Sequence, residues 1–144
     1  MNTTFLYGPG DRRSGDEIRP AVHESSGLQV LNGSGEWLWR PLRNPQTLQI
    51  SAFVDKDPKG FGLLQRDRTF ETFQDDDQRY ERKPSLWIEP IGEWGPGAVQ
   101  LLEIPTDSEV NDNILAYWRP RTPFAAGADV TIAYRQFWCW TPPD

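Results

Sequence analysis

The amino-acid sequence predicts an all-β fold, an antiparallel sandwich, and three observations predict it. Apolar residues fall in short runs rich in β-branched and aromatic side chains; Gly, Pro, Asn and Asp separate the runs; and only one stretch, residues 69–83, spaces its apolar residues as a helix would. Taken in order, residues 1–27 read as irregular, because Gly8-Pro9-Gly10, Ser14-Gly15 and Arg19-Pro20 interrupt them and no apolar period emerges. Leu28 to Leu31, the turn Asn32-Gly33-Ser34-Gly35 and Glu36 to Arg40 predict a hairpin with Trp37 and Trp39 on one face. From Gln46 to Phe53, Leu48, Ile50 and Ala52 alternate with Thr47, Gln49 and Ser51, the pattern of a half-buried strand. Gly60 to Gln65 is the next strand, with Phe61 and Leu63 on one side.

Thr69 to Lys83 is either a short, highly charged helix, with Asp75-Asp76-Asp77 suited to a helix N-terminus, or a structured loop closed by Pro84. Ser85 to Glu89, Ala98 to Ile104, Asn113 to Arg119 and Val130 to Trp138 complete the strands, and no internal repeat is present.

Composition excludes several functions. Fifteen Lys and Arg against twenty-one Asp and Glu leave a net charge of −6, which disfavours nucleic-acid binding by phosphate neutralisation. No apolar stretch approaches the roughly 20 residues that span a bilayer, and the first residues lack the regions of a signal peptide. Cys139 is the single cysteine, so an internal disulfide is excluded, and His23 is the single histidine, which disfavours a histidine-rich metal site and a Ser-His-Asp triad. Asp75-Asp76-Asp77 lacks the ligand spacing of a calcium loop, and the sequence implies no metal and no cofactor. Seven tryptophans are many for this length; core packing uses most of them, and two or three are expected to face a groove where sugar rings stack.

Carboxylates are what remains for chemistry. In Leu101 to Trp118, two β-type runs flank a loop bearing Asp107, Glu109 and Asp112, which need solvent, cations, or a role in which one keeps its proton. Asp112 re-enters a strand beside an apolar run, so partial burial and the charge of Glu109 would favour a proton donor; a turn or capping role is the plainer alternative. Tyr80 is a packed ring with a wet tip or a proton relay, and Arg66-Asp67-Arg68 is a local ion network or a groove lining.

Three blocks carry a resemblance: residues 32–53 (NGSGEWLWRPLRNPQTLQISAF), 57–90 (DPKGFGLLQRDRTFETFQDDDQRYERKPSLWIEP) and 99–120 (VQLLEIPTDSEVNDNILAYWRP). Together they resemble the periplasmic glucan biosynthesis proteins G and D. The resemblance implies a galactose-mutarotase-like β-sandwich of which residues 1–144 form the C-terminal part, without the upstream half and without the immunoglobulin-like domain that follows. It also implies the Gram-negative periplasm, a β-1,2-linked glucan as partner, and inverting endo-β-1,2-glucanase or transglycosylase activity. A non-catalytic glucan-binding or assembly role, or an inactive fragment, are the alternatives.

Carried over by position, the resemblance makes Asp112 the general acid, Glu109 a carboxylate near it, and Tyr80 part of a proton relay. The general base falls on Glu24 in Val22-His23-Glu24, where the family pattern has aspartate; the arm is one methylene longer, which matters for placing a water. Trp37, Trp87, Arg66 and Arg68 are expected to line the groove. A partial sandwich is also expected to expose strand edges and to self-associate through them.

Overall fold

The computed structural model describes residues 2–8 and 17–144. In chain order the elements are β1 (Asn2–Phe5), β2 (Tyr7–Gly8), β3 (Val22–His23), β4 (Gly27–Leu31), β5 (Trp37–Pro41), β6 (Gln49–Lys56), β7 (Gly60–Leu64), α1 (Phe70–Phe73), a 3-10 turn (Tyr80–Arg82), β8 (Ser85–Ile91), β9 (Pro96–Glu103), β10 (Ile114–Pro120) and β11 (Ala133–Cys139). All strand pairs are antiparallel, in a sheet β1-β10-β9-β6, a sheet β11-β8-β7-β4-β5 and a two-stranded β2-β3 ribbon. The larger sheets face each other and share one core. Phe5, Val99, Leu101, Ile114, Ala116 and Trp118 come from the first; Leu28, Val30, Phe61, Leu63, Leu86 and Ile88 come from the second. Burying each such side chain is worth about 1.5–3 kcal/mol. No helix of the described residues is long and apolar enough to cross a membrane.

The strand-turn-strand readings match the sandwich, and three details differ. Residues 1–27 are not wholly irregular: β1 adds to β10, and β2 pairs with β3. Strands this short contain too few residues for an alternation to register, and the Ser14-Gly15 signal lies outside the described residues. The stretch 69–83 folds as one turn of helix and a separate 3-10 turn, because Gln74 and Arg79 adopt left-handed backbone conformations (φ 50° at each) that break the helical path. In β6 the expected inner face points outward: Ile50 is 60% and Val54 88% exposed, while Phe53 packs on the core. Register places Ile50 opposite Leu102 and Leu102 opposite Leu115, so the outer face of this sheet is apolar as well.

Three tryptophans lie on glycine backbone in a repeated way. Trp39 pairs with Gln29 and its ring covers Gly27; Trp87 pairs with Gly62 and covers Gly60; Trp118 pairs with Val99 and covers Gly97. A Cβ at these glycines would stand 2.5, 2.1 and 2.5 Å from the respective ring Cζ2 atoms, so any side chain there displaces the ring.

A buried ion pair ties the two sheets together. Glu103 of β9 is fully buried, accepts from Arg40 Nη2 at 2.5 Å and from the Arg43 backbone N–H at 2.5 Å, and so joins β9 to β5 and the segment after it.

Candidate functional site

The β9–β10 hairpin ends in a loop whose two flanks are held differently. On the strand side, Asn113 is buried: its Oδ1 accepts the Tyr7 N–H at 2.8 Å, and its Nδ2 donates to the carbonyls of Tyr7 (2.8 Å) and Ile104 (2.9 Å). That side-chain amide closes the loop against β2. On the other flank, Thr106 Oγ1 and the Ser108 carbonyl share a hydrogen bond of 2.7 Å, and Asn44 holds Thr106 through both its amide atoms. The loop therefore has a fixed base from which Glu109 and Asp112 project.

These two carboxylates line an open cleft of about 810 Å3, together with Glu17, Arg19, Glu24, Asp75 and Tyr80. Five parts of the chain supply them: the segment before β3, the residue after β3, the turn between α1 and the 3-10 turn, the 3-10 turn itself, and the hairpin loop. Asp75 is buried at the foot of that turn, where its Oδ1 accepts the backbone N–H groups of Asp77 (3.0 Å) and Gln78 (2.7 Å). Burial pushes its carboxyl up, but those two N–H groups and the Arg19 guanidinium outweigh burial and hold it below the usual aspartate range.

Tyr80 stands at the inner wall, its ring tilted against Phe73 and its hydroxyl 3.4 Å from Glu109 Oε2. Burial first, and then the negative charges of Glu109, Glu24 and Asp75, keep its phenol protonated well above the usual tyrosine range, with Arg19 opposing. At neutral pH Tyr80 is thus a hydrogen-bond donor. Glu24 follows β3 and accepts the Leu6 N–H at 3.2 Å, with Lys83 Nζ 3.6 Å away. His23 beside it is neutral: burial lowers its pKa to about 4, against a weaker opposing pull from Asp67, and its ring stacks on Tyr7 at 3.9 Å.

All four residues expected to carry chemistry, Asp112, Glu109, Tyr80 and Glu24, line this one cleft. Asp112, however, is exposed and not partly buried, because Asn113 takes the buried position where the chain re-enters the sheet. The expected groove residues lie elsewhere. Trp87 is 2% exposed, packed beneath Trp37 with ring centroids 5.6 Å apart, so it meets no solvent groove; Trp37 itself is half exposed. Arg66 lies on Trp39, 3.4 Å from the ring centroid, and Arg68 on Trp140, 4.0 Å away, while donating to the carbonyls of Glu81 and Lys83. Both arginines are engaged in the sheet's own surface. Among the described residues no group of three or more His, Cys, Asp or Glu is placed to hold a metal ion.

Sequence reasoning missed Arg19 and Asn113. The signal for Asn113 was an amide directly before a β-branched run; Arg19 has one neighbour in sequence among its partners, Glu17, but the two that join it to the cleft lie 56 and 90 residues away.

Comparison with known proteins adds the family. A family model described as periplasmic glucan biosynthesis protein, MdoG, matches residues 1–144. Glucans biosynthesis protein G of Vibrio cholerae serotype O1 is 54% identical over 134 residues, which is 93% of this chain and 25% of the relative. The proteins of the same name from Shewanella frigidimarina and Shewanella baltica are 55% and 56% identical over 134 residues, 93% of this chain and 24% and 25% of those relatives. The chain spans about a quarter of the length of these curated relatives.

Proposed function

The chain belongs to the periplasmic glucan biosynthesis protein MdoG family, and from that premise we propose that its cleft is part of the catalytic site of an inverting endo-β-1,2-glucanase acting on osmoregulated glucan in the periplasm. The observation that carries this reading is the convergence of Asp112, Glu109, Tyr80 and Glu24 on one open, acidic cleft. A glucan strand crossing it would meet Asp112 as the acid that protonates the leaving glycosidic oxygen. Glu24, across the cleft, takes the proton of the attacking water, directly or through a relay of water and sugar hydroxyls. Inversion needs a separation of about 6.5–9.5 Å between the two groups, to leave room for that water. Tyr80, a donor at neutral pH, orients whatever oxygen lies between them. Trp37 presents an open ring on which a sugar could stack outside the cleft.

The exposure of Asp112 supports a second reading, a site that holds glucan during backbone assembly without cleaving it. The apolar outer face of the β6 sheet also suits self-association of this chain.

The test is release of reducing ends from linear β-1,2-glucan by this chain and by a form extended to the full length of its relatives. Asp112→Asn in the extended form is expected to lose about 10²–10⁴-fold in turnover, the usual worth of a general acid. Unchanged turnover in that variant removes the acid assignment, and binding without cleavage by the unmodified extended form favours the assembly reading.

A further inference from the structure

Among the described residues that line the cleft Arg19 is the one cation, and its hydrogen bonds leave it no free donor. A guanidinium has five N–H groups. Nε donates to Glu17 Oε1 at 2.8 Å; Nη1 donates to Asp75 Oδ2 at 2.7 Å and Glu109 Oε2 at 2.8 Å; Nη2 donates to Glu109 Oε1 at 2.6 Å and to Glu17 Oε2. All five are taken by three carboxylates. Burial opposes the charge, yet the bonds from Glu17 and Glu109 raise the guanidinium still further above its ordinary range, so it stays a cation at every accessible pH.

We propose that Arg19 is the positioning residue of this site: it sets the acidic loop through Glu109 and touches no substrate itself. The proposal rests on the glucan-site reading above for what the loop does, but not for how the loop is held. A cation meant to bind a ligand would keep a donor pointing into the cleft, and Arg19 keeps none. Glu109 is equally committed, with both oxygens on the arginine fork and Oε2 also facing the Tyr80 hydroxyl. It serves as an anchor for the loop. Further along the loop, Asn113 is the second anchor, bonded to Tyr7 and Ile104. Asp112 stands between the two anchors, exposed but on a pinned segment, so its place in the cleft is set from both sides.

Lysine cannot take this part. Its three donors radiate from one atom, whereas the fork of Arg19 spans carboxylates from three segments of the chain.

The experiment compares Arg19→Met, Arg19→Lys and Glu109→Gln with the unmodified protein by amide hydrogen exchange. In this chain, exchange over residues 106–112 is expected to rise at least about tenfold in all three, with the amides of β7 and β8 unchanged as the control for folding. Unchanged exchange over 106–112 in Arg19→Met overturns the proposal. In the extended form acting on linear β-1,2-glucan, both Arg19 variants are expected to lose about 10²-fold in kcat with KM within about threefold, the signature of a misplaced group, not of a lost substrate contact. A rise in KM at unchanged kcat, or rescue by the charge-conserving lysine, also overturns it. If the unmodified extended form cleaves no glucan, the hydrolase reading fails, while the exchange result still decides the role of Arg19.

Discussion

Two arginine–glutamate pairs hold the β9–β10 hairpin, and they do opposite work. Arg40 and Glu103 lie between the sheets, where the carboxylate is fully buried and also accepts a backbone N–H. Arg19 and Glu109 lie in the open cleft, where the side chains keep 17% and 28% of their exposure. The chemistry of the contact is the same, but the dielectric around it is not. The arginines are about equally enclosed, Arg40 at 21% and Arg19 at 17%, so the difference lies in the glutamates: Glu103 has no water to share its charge with, and Glu109 has some. Breaking the outer pair should therefore cost less than breaking the inner one.

The largest effect should come from breaking the closed pair. Glu103→Ala leaves Arg40 and the Arg43 N–H without their carboxylate, and a loss of about 3–5 kcal/mol in urea unfolding is expected; Arg19→Met should cost less, about 1.5–2 kcal/mol by the same measurement. Similar losses for the two variants would erase the distinction drawn here.

Acid should then loosen the corner beneath the cleft. His23 is held near pKa 4 in the folded chain, primarily by burial, against an ordinary value of 6.5, so the unfolded chain takes up its proton first as pH falls. Its contribution is complete above about pH 6.5 and is lost on the way down to about 4, on the order of 3 kcal/mol in total. His23→Phe should flatten that part of the pH dependence, and a curve with the slope intact would mean that other groups set it. The smallest effect should be at the outer face of β6: Val54→Lys, at an 88% exposed position, should leave the unfolding midpoint within about 0.5 kcal/mol and reduce self-association seen by sedimentation. An unchanged association state in that variant would place the contact elsewhere.

How much of this was legible from the residues differs between fold and site. Strands of five or more residues were readable because alternation and Gly/Pro turns are local properties. Which face of β6 turns inward was not, since a period of two says that the faces differ without saying which meets the core, and Phe53 decides it through partners on other strands. Of the two readings of residues 69–83 the structured loop is the nearer, because the helical path breaks at Gln74 and Arg79, where ordinary side chains take left-handed conformations that composition does not announce. In the cleft, Asp112, Glu109 and Tyr80 could be named because they sit in the blocks that carry the resemblance, and Glu24 because it follows Val22-His23; Glu17 and Asp75, which also line the cleft, were not named as part of it. Arg19 could not, because an arginine reaching carboxylates 56 and 90 residues away has no local signature.

The tryptophan rings laid over Gly27, Gly60 and Gly97 bear on how the chain finds its pairing at all. A hairpin that slips by one residue turns its apolar side chains to the wrong face and is rejected by burial, but a slip of two restores the alternation and escapes that check. Here each ring is seated two positions before its own partner, on the one residue without a side chain. In β4–β5 and β9–β10 the next position along carries Gln29 or Val99, and a ring shifted onto it would collide. In β7–β8 that position is Gly62, which carries no side chain to block a ring. The glycines thus act as detents against that slip at two joints of the sandwich, β4–β5 and β9–β10.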